Sequence, residues 1–241
     1  MSFEACAGIV ERGDPDRFLA VMAAPVAARR ILFPIYAFNV EIARAPWVTS
    51  EPMIAEMRLQ WWRDALEEIA LGGTVRRHEV TQTLADVLDV DGARALDRLV
   101  AARRWDVYTD AFEDAAHFDE YLDATAGELM WQGARALGAV SREDVMRFAR
   151  AAGLARYLKA VSALEEKGRL PLLDGRENAI AALAREALKD IARPVPSNPA
   201  FLEAWQAEPL LRQIAKEPWR VAQGTVGISP FRAKWRLLRW S

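Results

Sequence analysis

No proline falls between Pro52 and Pro171, although the chain holds twelve; five lie at or before position 52 and the other seven between 171 and 230. Proline removes a helix hydrogen bond and clashes with the preceding turn, so a proline-free stretch of this length is open to long helices. It is filled with Ala, Leu, Arg and Glu, which are good helix formers. Apolar residues recur in it at three and four, as in Leu84, Val87 and Leu88, in Leu96, Leu99 and Val100, and in Met146, Phe148, Ala149 and Ala152. No β-branched run alternates over five or more positions, so the period points to helix and away from strand. The expected fold is all-α, a single-domain helical bundle over residues 1–241.

Local signals divide this bundle. Asp16 is expected to cap a first short helix and Pro25 to open a second, which runs to about Arg44 through Pro34. Ser50, with Met53 three residues on, opens a helix that stops before Gly72 and Gly73. Further helices are expected over 77–90, 92–114, 118–138, 141–166 and 176–192. Ser141 with Asp144 forms a capping pair, and Gly138 a C-terminal stop. The proline-rich stretch 193–199 connects to two or three shorter last helices, too few residues for an independent core.

Composition narrows the chemistry. A lone cysteine, Cys6, and two histidines, His78 and His117, exclude an internal disulfide and a thiolate or histidine-rich metal site. A metal would have to use carboxylates, and the 34 acidic residues supply many. The formal net charge of −2 gives no general field for nucleic acid. No 18-residue apolar run exists, and residues 1–14 carry Glu4 and Glu11 without a basic start, so neither a transmembrane helix nor a signal peptide is expected. The expected location is cytoplasmic.

Four segments carry a resemblance. They are YAFNVEIA, then MRLQWWRDAL, then EYLDATAGELMWQGARALG over 120–138, and LARYLKAVSALEEKGRLPLL over 154–173. The pattern resembles the squalene/phytoene synthase family over roughly residues 14–173. The resemblance implies the isoprenoid synthase bundle. In catalytic members it implies the joining of two prenyl diphosphates by Mg²⁺ held on two aspartate-rich helices. Carboxylates four apart share one helix face, with Cβ atoms about 5–6 Å apart, which is how such helices grip a metal.

Position by position, this chain departs from that pattern. Anchored on Tyr36-Ala37-Phe38, the family's arginine falls at Val40 and its two aspartates at Ala43 and Trp47. Anchored on Gly168-Arg169, the second pair falls at Ala160 and Leu164, with Lys159 and Arg156 where the family has arginine and asparagine. Glu41, Glu165 and Glu166 are the nearest acids, and the adjacent glutamates diverge by about 100° around a helix. The DxxxD of Asp119 with Asp123 lies on another helix and reads as first-turn acids complementing the helix dipole. Asp106, Asp110 and Asp114 read as a solvated stripe, and His117 as a capping or surface residue.

The wording AFNVEIA with MRLQWWRDAL is similar to the branch of the family that resembles the mitochondrial assembly factor for respiratory complex I. That resemblance implies a non-catalytic protein without cofactor, assisting assembly of the NADH:quinone oxidoreductase and partnered with a complex I subunit or assembly intermediate. The alternatives are a prenyltransferase that uses Mg²⁺ and acids from other helices, and a prenyl-lipid-binding protein. The residues expected to line the old cavity or a partner surface are Tyr36, Asn39, Glu41, Arg44, Trp47, Arg58, Trp61, Trp62, Thr125, Gly127, Arg156 and Lys159. Glu41 and Arg44 are expected to pair with Arg58 or Arg63, replacing a metal by ion pairs.

The tail PFRAKWRLLRWS carries Arg232, Lys234, Arg236 and Arg239 and no acid, with Phe231, Trp235 and Leu238 at helical spacing. It can lie on an anionic membrane surface, giving a peripheral location at its inner face, or cap the domain with Trp235 turned inward.

Overall fold

A computed structural model describes residues 3–49, 51–138, 141–193 and 197–240, with the side chain of Trp240 outside the description. Every regular element among them is helical. The α-helices are α1 (Phe3–Gly13), α2 (Pro15–Ala23), α3 (Val26–Arg44), α4 (Pro52–Ala70), α5 (Thr81–Ala85), α6 (Val90–Arg103), α7 (Ala115–Leu122), α8 (Glu128–Ala136), α9 (Arg142–Glu165), α10 (Glu177–Ala192), α11 (Ala207–Lys216), α12 (Trp219–Ala222) and α13 (Pro230–Trp240). The expected all-α class holds. No helix among the described residues is long and apolar enough to cross a membrane.

Contacts gather the chain into two compact units. The first comprises residues 1–108, 128–139 and 198–203; the second comprises 109–127, 140–197 and 204–241. In the first, α3 is the central element. Every residue from Leu32 to Val40 is buried, and α1, α2, α5 and α8 all pack on it. A helix apolar on all sides belongs inside, and each fully buried Phe or Leu there contributes roughly 1.5–3 kcal/mol relative to exposure. α4 packs on α6. In the second unit α9 is central, with Val145, Phe148, Leu154, Leu158 and Val161 buried and α7, α10, α11 and α12 against it.

Several boundaries differ from the sequence expectation, each for a local reason. Asp14, not Asp16, caps α2: its Oδ1 accepts from the Arg17 backbone N at 3.0 Å, and α1 precedes it. The helix expected over 77–90 shortens to α5, because the Asp89 carboxylate accepts from Gly92 N and starts α6 afresh. The one expected over 92–114 ends at Arg103 in a 3₁₀ turn, Arg104–Val107, and Asp114 caps α7 by accepting from His117 N at 2.8 Å. The helix expected over 118–138 is split by a π-helical turn, Asp123–Gly127, in which the Thr125 hydroxyl donates to Tyr121 O. Ser141 caps α9 as expected, accepting from Asp144 N, while Ser50 lies outside the described residues. At the C-terminus, α13 turns Ala233 and Leu237 inward and leaves Trp235 exposed, so the expected inward Trp235 is corrected.

Candidate functional site

In the first unit, the segment that carries the family's first aspartate pair ends differently from a continuous helix. α3 stops at Arg44, and Ala45–Trp47 form a 3₁₀ turn around Pro46. Ala43 and Trp47 therefore do not share one α-helical face. Both line a cavity of about 480 Å³ together with Asn39, Arg44, Arg12, Asp14, Arg17 and Arg103. Four guanidiniums and one carboxylate make this wall predominantly basic.

The best-anchored of these is Arg17. Its side chain is buried, its Nε donates to the fully buried carboxylate of Glu203 at 2.5 Å, and its Nη1 to Asp14 at 2.6 Å. Its guanidinium also lies 5.4 Å from the centre of the buried Tyr36 ring. Burial alone would lower the Arg17 pKa, but the carboxylates of Glu203 and Asp14 outweigh it and raise it. The cation is thus fixed. Asn39 is 5% exposed, and its Oδ1 is buried with no hydrogen-bond partner. Arg103 pairs with Asp106 at 3.0 Å, so Asp106 is not part of a solvated acidic stripe.

The expected ion pairs are rearranged. Glu41 pairs with Arg44 at 2.6 Å, three residues on along α3. Arg63 instead holds Asp97 of α6 through two hydrogen bonds at 2.7 and 3.1 Å, and Arg58 is exposed. A carboxylate three residues away needs no long reach, whereas Arg63 faces the α6 neighbour against which α4 packs.

Trp61 and Trp62 divide their roles. Trp62 is buried edge-on to Phe38 and against His78, with ring centres 5.4 and 5.2 Å apart. Trp61 is half-buried, packs on Trp62, and carries the Arg76 guanidinium 5.0 Å above its ring. Arg76 in turn grips Glu68, whose pKa falls mainly through the side-chain hydrogen bond from Arg76. This aromatic cluster is packing rather than a cavity wall.

In the second unit, α9 runs unbroken through the places of the second aspartate pair, Ala160 and Leu164. Ala160 and Lys159 are exposed; Leu164 and Arg156 are half-buried. The small residues of the Thr125–Gly127 stretch serve close packing. A Cβ on Gly127 would stand 2.6 Å from the Met146 methyl, and one on Gly153 2.5 Å from the Ala126 Cβ. The π turn and α9 can approach this closely only because those Cβ atoms are missing.

The Asp119–Asp123 pair is occupied by a cation of its own. Arg150 of α9 makes two hydrogen bonds to the Asp123 carboxylate, one of them at 2.8 Å, and lies 3.7 Å from Asp119. The expected reading of these acids as dipole complements is replaced by this pairing. Asp119 and Arg150 stand on the wall of a groove of about 580 Å³ lined by Phe118, Leu122, Leu154 and Leu183 and also by the acids Asp174, Glu186 and Asp190.

Mg²⁺ needs oxygen ligands. Ala43, Trp47, Ala160 and Leu164 offer none from their side chains, and the Asp119–Asp123 pair is engaged by Arg150. Among the described residues no group of three or more His, Cys, Asp or Glu could hold a metal. These residues do not fit the family's metal. Sequence reasoning missed Arg12, Arg17, Arg103 and Glu203. The Arg17–Glu203 pair spans 186 positions, and nothing local to either residue signals it.

The comparisons agree with this frame. A squalene/phytoene synthase family model matches residues 10–172. A Drosophila melanogaster protein named NADH dehydrogenase (ubiquinone) complex I, assembly factor 6 homolog is 33% identical over 132 residues, 52% of this chain and 39% of that protein. The Homo sapiens NADH dehydrogenase (ubiquinone) complex I, assembly factor 6 is 25% identical over 145 residues, 55% of this chain and 40% of that protein. The matched region is thus about two-fifths of these relatives' length. The crystal structure of a dehydrosqualene synthase in complex with ligand superposes with a TM-score of 0.80, covering 99% of this chain and 94% of that one at 16% identity, a likeness of fold. With a family model matching more than half of its residues, this chain belongs to the squalene/phytoene synthase family.

Proposed function

We propose that this protein is a non-catalytic member of its family, using no metal or cofactor, that assists assembly of respiratory complex I. The observation that carries the first half is chemical: the family's four aspartate positions hold Ala43, Trp47, Ala160 and Leu164, and the first pair no longer shares a helix. A diphosphate leaving group stabilised by metal has no ligands to rely on there. The second half is supported by relatives whose names describe complex I assembly factors. On this reading the partner is a complex I subunit or assembly intermediate. The location is cytoplasmic and peripheral at the inner face of the membrane.

Two measurements test it. Purified protein incubated with farnesyl or geranylgeranyl diphosphate and Mg²⁺ is expected to form no condensed product; turnover at an ordinary enzyme rate overturns the non-catalytic reading. Deletion of the gene is expected to lower NADH:quinone activity in isolated membranes, and unchanged activity counts against the assembly role.

A further inference from the structure

The C-terminal helix α13 presents two opposite faces. At about 100° per residue, Ala233 and Leu237 share one side, and both are buried. Arg236, next to that side, donates from Nε to Trp205 O at 2.8 Å and pairs with Glu208. The helix is therefore seated on the second unit by its inner face. Phe231, Trp235 and Leu238 fall within an arc of about 60°, nearly opposite, and are 79%, 58% and 73% exposed. A seated helix that turns three large apolar side chains outward is the reverse of ordinary amphipathic packing.

Charge says what covers that face. Arg232 and Arg239 lie on one flank of the apolar arc and Lys234 on the other, all exposed. No acidic residue lies between Glu217 and Ser241, and the carboxylate that Arg236 of the helix holds, Glu208, is also bound by Arg212. An apolar strip bordered on both sides by cations matches the boundary between acyl chains and anionic headgroups, where aromatic rings sit and Lys and Arg reach phosphate. A protein partner would need an acidic rim on both sides of an apolar groove; a bilayer supplies both along any direction.

We propose that α13 is an interfacial helix that docks the protein on an anionic lipid bilayer through Phe231, Trp235 and Leu238, with Arg232, Lys234 and Arg239 contacting headgroup phosphates. This does not depend on the assembly role. The test is flotation of the full chain with vesicles of phosphatidylcholine alone or with about one third phosphatidylglycerol. Binding is expected to the anionic vesicles only, and to fall at least tenfold between about 0.1 and 0.5 M salt, because surface attraction is screened. The F231S/W235S/L238S variant is expected to lose at least tenfold of that binding with an unchanged helical circular dichroism spectrum. R232Q/K234Q/R239Q, which leaves the apolar strip intact, is expected to lose a similar factor. Equal binding of wild type and both variants, no flotation of the wild type, or loss of an oligomer in lipid-free solution on the serine substitutions would each overturn the proposal.

Discussion

The two places where this family's catalytic members carry aspartates have diverged in different ways. At the first, the positions hold no carboxylate and do not share a helix: α3 ends at Arg44, Trp47 stands in a 3₁₀ turn, and the adjoining wall carries arginines tied down by ion pairs, the buried Arg17–Glu203 pair among them. At the second, only the side chains are gone: α9 continues through Ala160 and Leu164 with its helical spacing intact. Restoring carboxylates alone would put two of them on one helix face at the second place but not at the first. The difference also separates what holds each place. A buried ion network anchors the first, and close small-residue packing with a half-exposed ion pair anchors the second.

The largest expected effect falls on the first place. Arg17→Met leaves the Glu203 carboxylate fully buried without its cation, and such a break costs about 3–5 kcal/mol. At roughly 2–4 °C per kcal/mol for a chain of this size, the midpoint of thermal unfolding should drop by about 10 °C. Glu203→Gln should cost less, because Asp14 still pairs with Arg17. The double variant R17M/E203L should regain most of the loss, since apolar replacement of a whole buried pair is often neutral. A double variant no more stable than R17M would mean that packing, rather than charge, fixes this wall.

Gly153→Val tests the second place. Its Cβ would meet Ala126 at 2.5 Å, and overpacking of this kind costs about 1–3 kcal/mol. Thermal melts should show a fall about half that of Arg17→Met. A neutral result would mean that the π turn yields easily and α9 is not fixed by it.

The contrast in backbone is sharpened by grafting. A160D/L164D should bind Mn²⁺ weakly, in the millimolar range expected for two carboxylates on one helix face, one exposed and one half-buried (on the order of 1 mM), as read by electron paramagnetic resonance. A43D/W47D should show no binding, because its carboxylates diverge and Arg44 and Arg103 stand on the same wall. Binding by the second graft and not the first would reverse the comparison.

Much of this was legible in the residues. The proline gap and the apolar period give the all-α class, and the aligned segments give the family and the missing aspartates. The Ser141 cap also follows from local pattern. What was hidden depends on meetings far along the chain. Arg17 finds Glu203, Arg63 finds Asp97 and Arg150 finds Asp123, and spacing carries no record of any of them. The breaks at 104–107 and 123–127 fall on weak helix formers, Trp105, Asp106 and Val107 in one and Asp123, Thr125 and Gly127 in the other, but no proline marks either and they pass as helix interior. The outward turn of Trp235 was hidden because an apolar stripe reads the same whether it faces a core or a bilayer.

The smallest effect concerns the pair by which Arg150 engages Asp123. Arg150 and Asp123 are both partly exposed, so the pair should contribute on the order of 0.5 kcal/mol, as solvent screens it. The hydrogen bonds that Arg150 donates to Asp123 raise the Arg150 pKa, with burial opposing and the charges of Asp123 and Asp119 assisting. A raised basic pKa adds stability that is complete below the unfolded value and lost only as pH rises through the folded one, above the alkaline range in which the protein would be handled. Arg150→Gln should therefore lower stability by the same small amount at pH 7 and at pH 9. It should also leave Asp119 and Asp123 without the Arg150 cation. If that variant, unlike wild type, binds Mn²⁺, then one arginine is what separates this DxxxD from a metal site; if it does not, the spacing of the acids across the start of the π turn is the deeper obstacle.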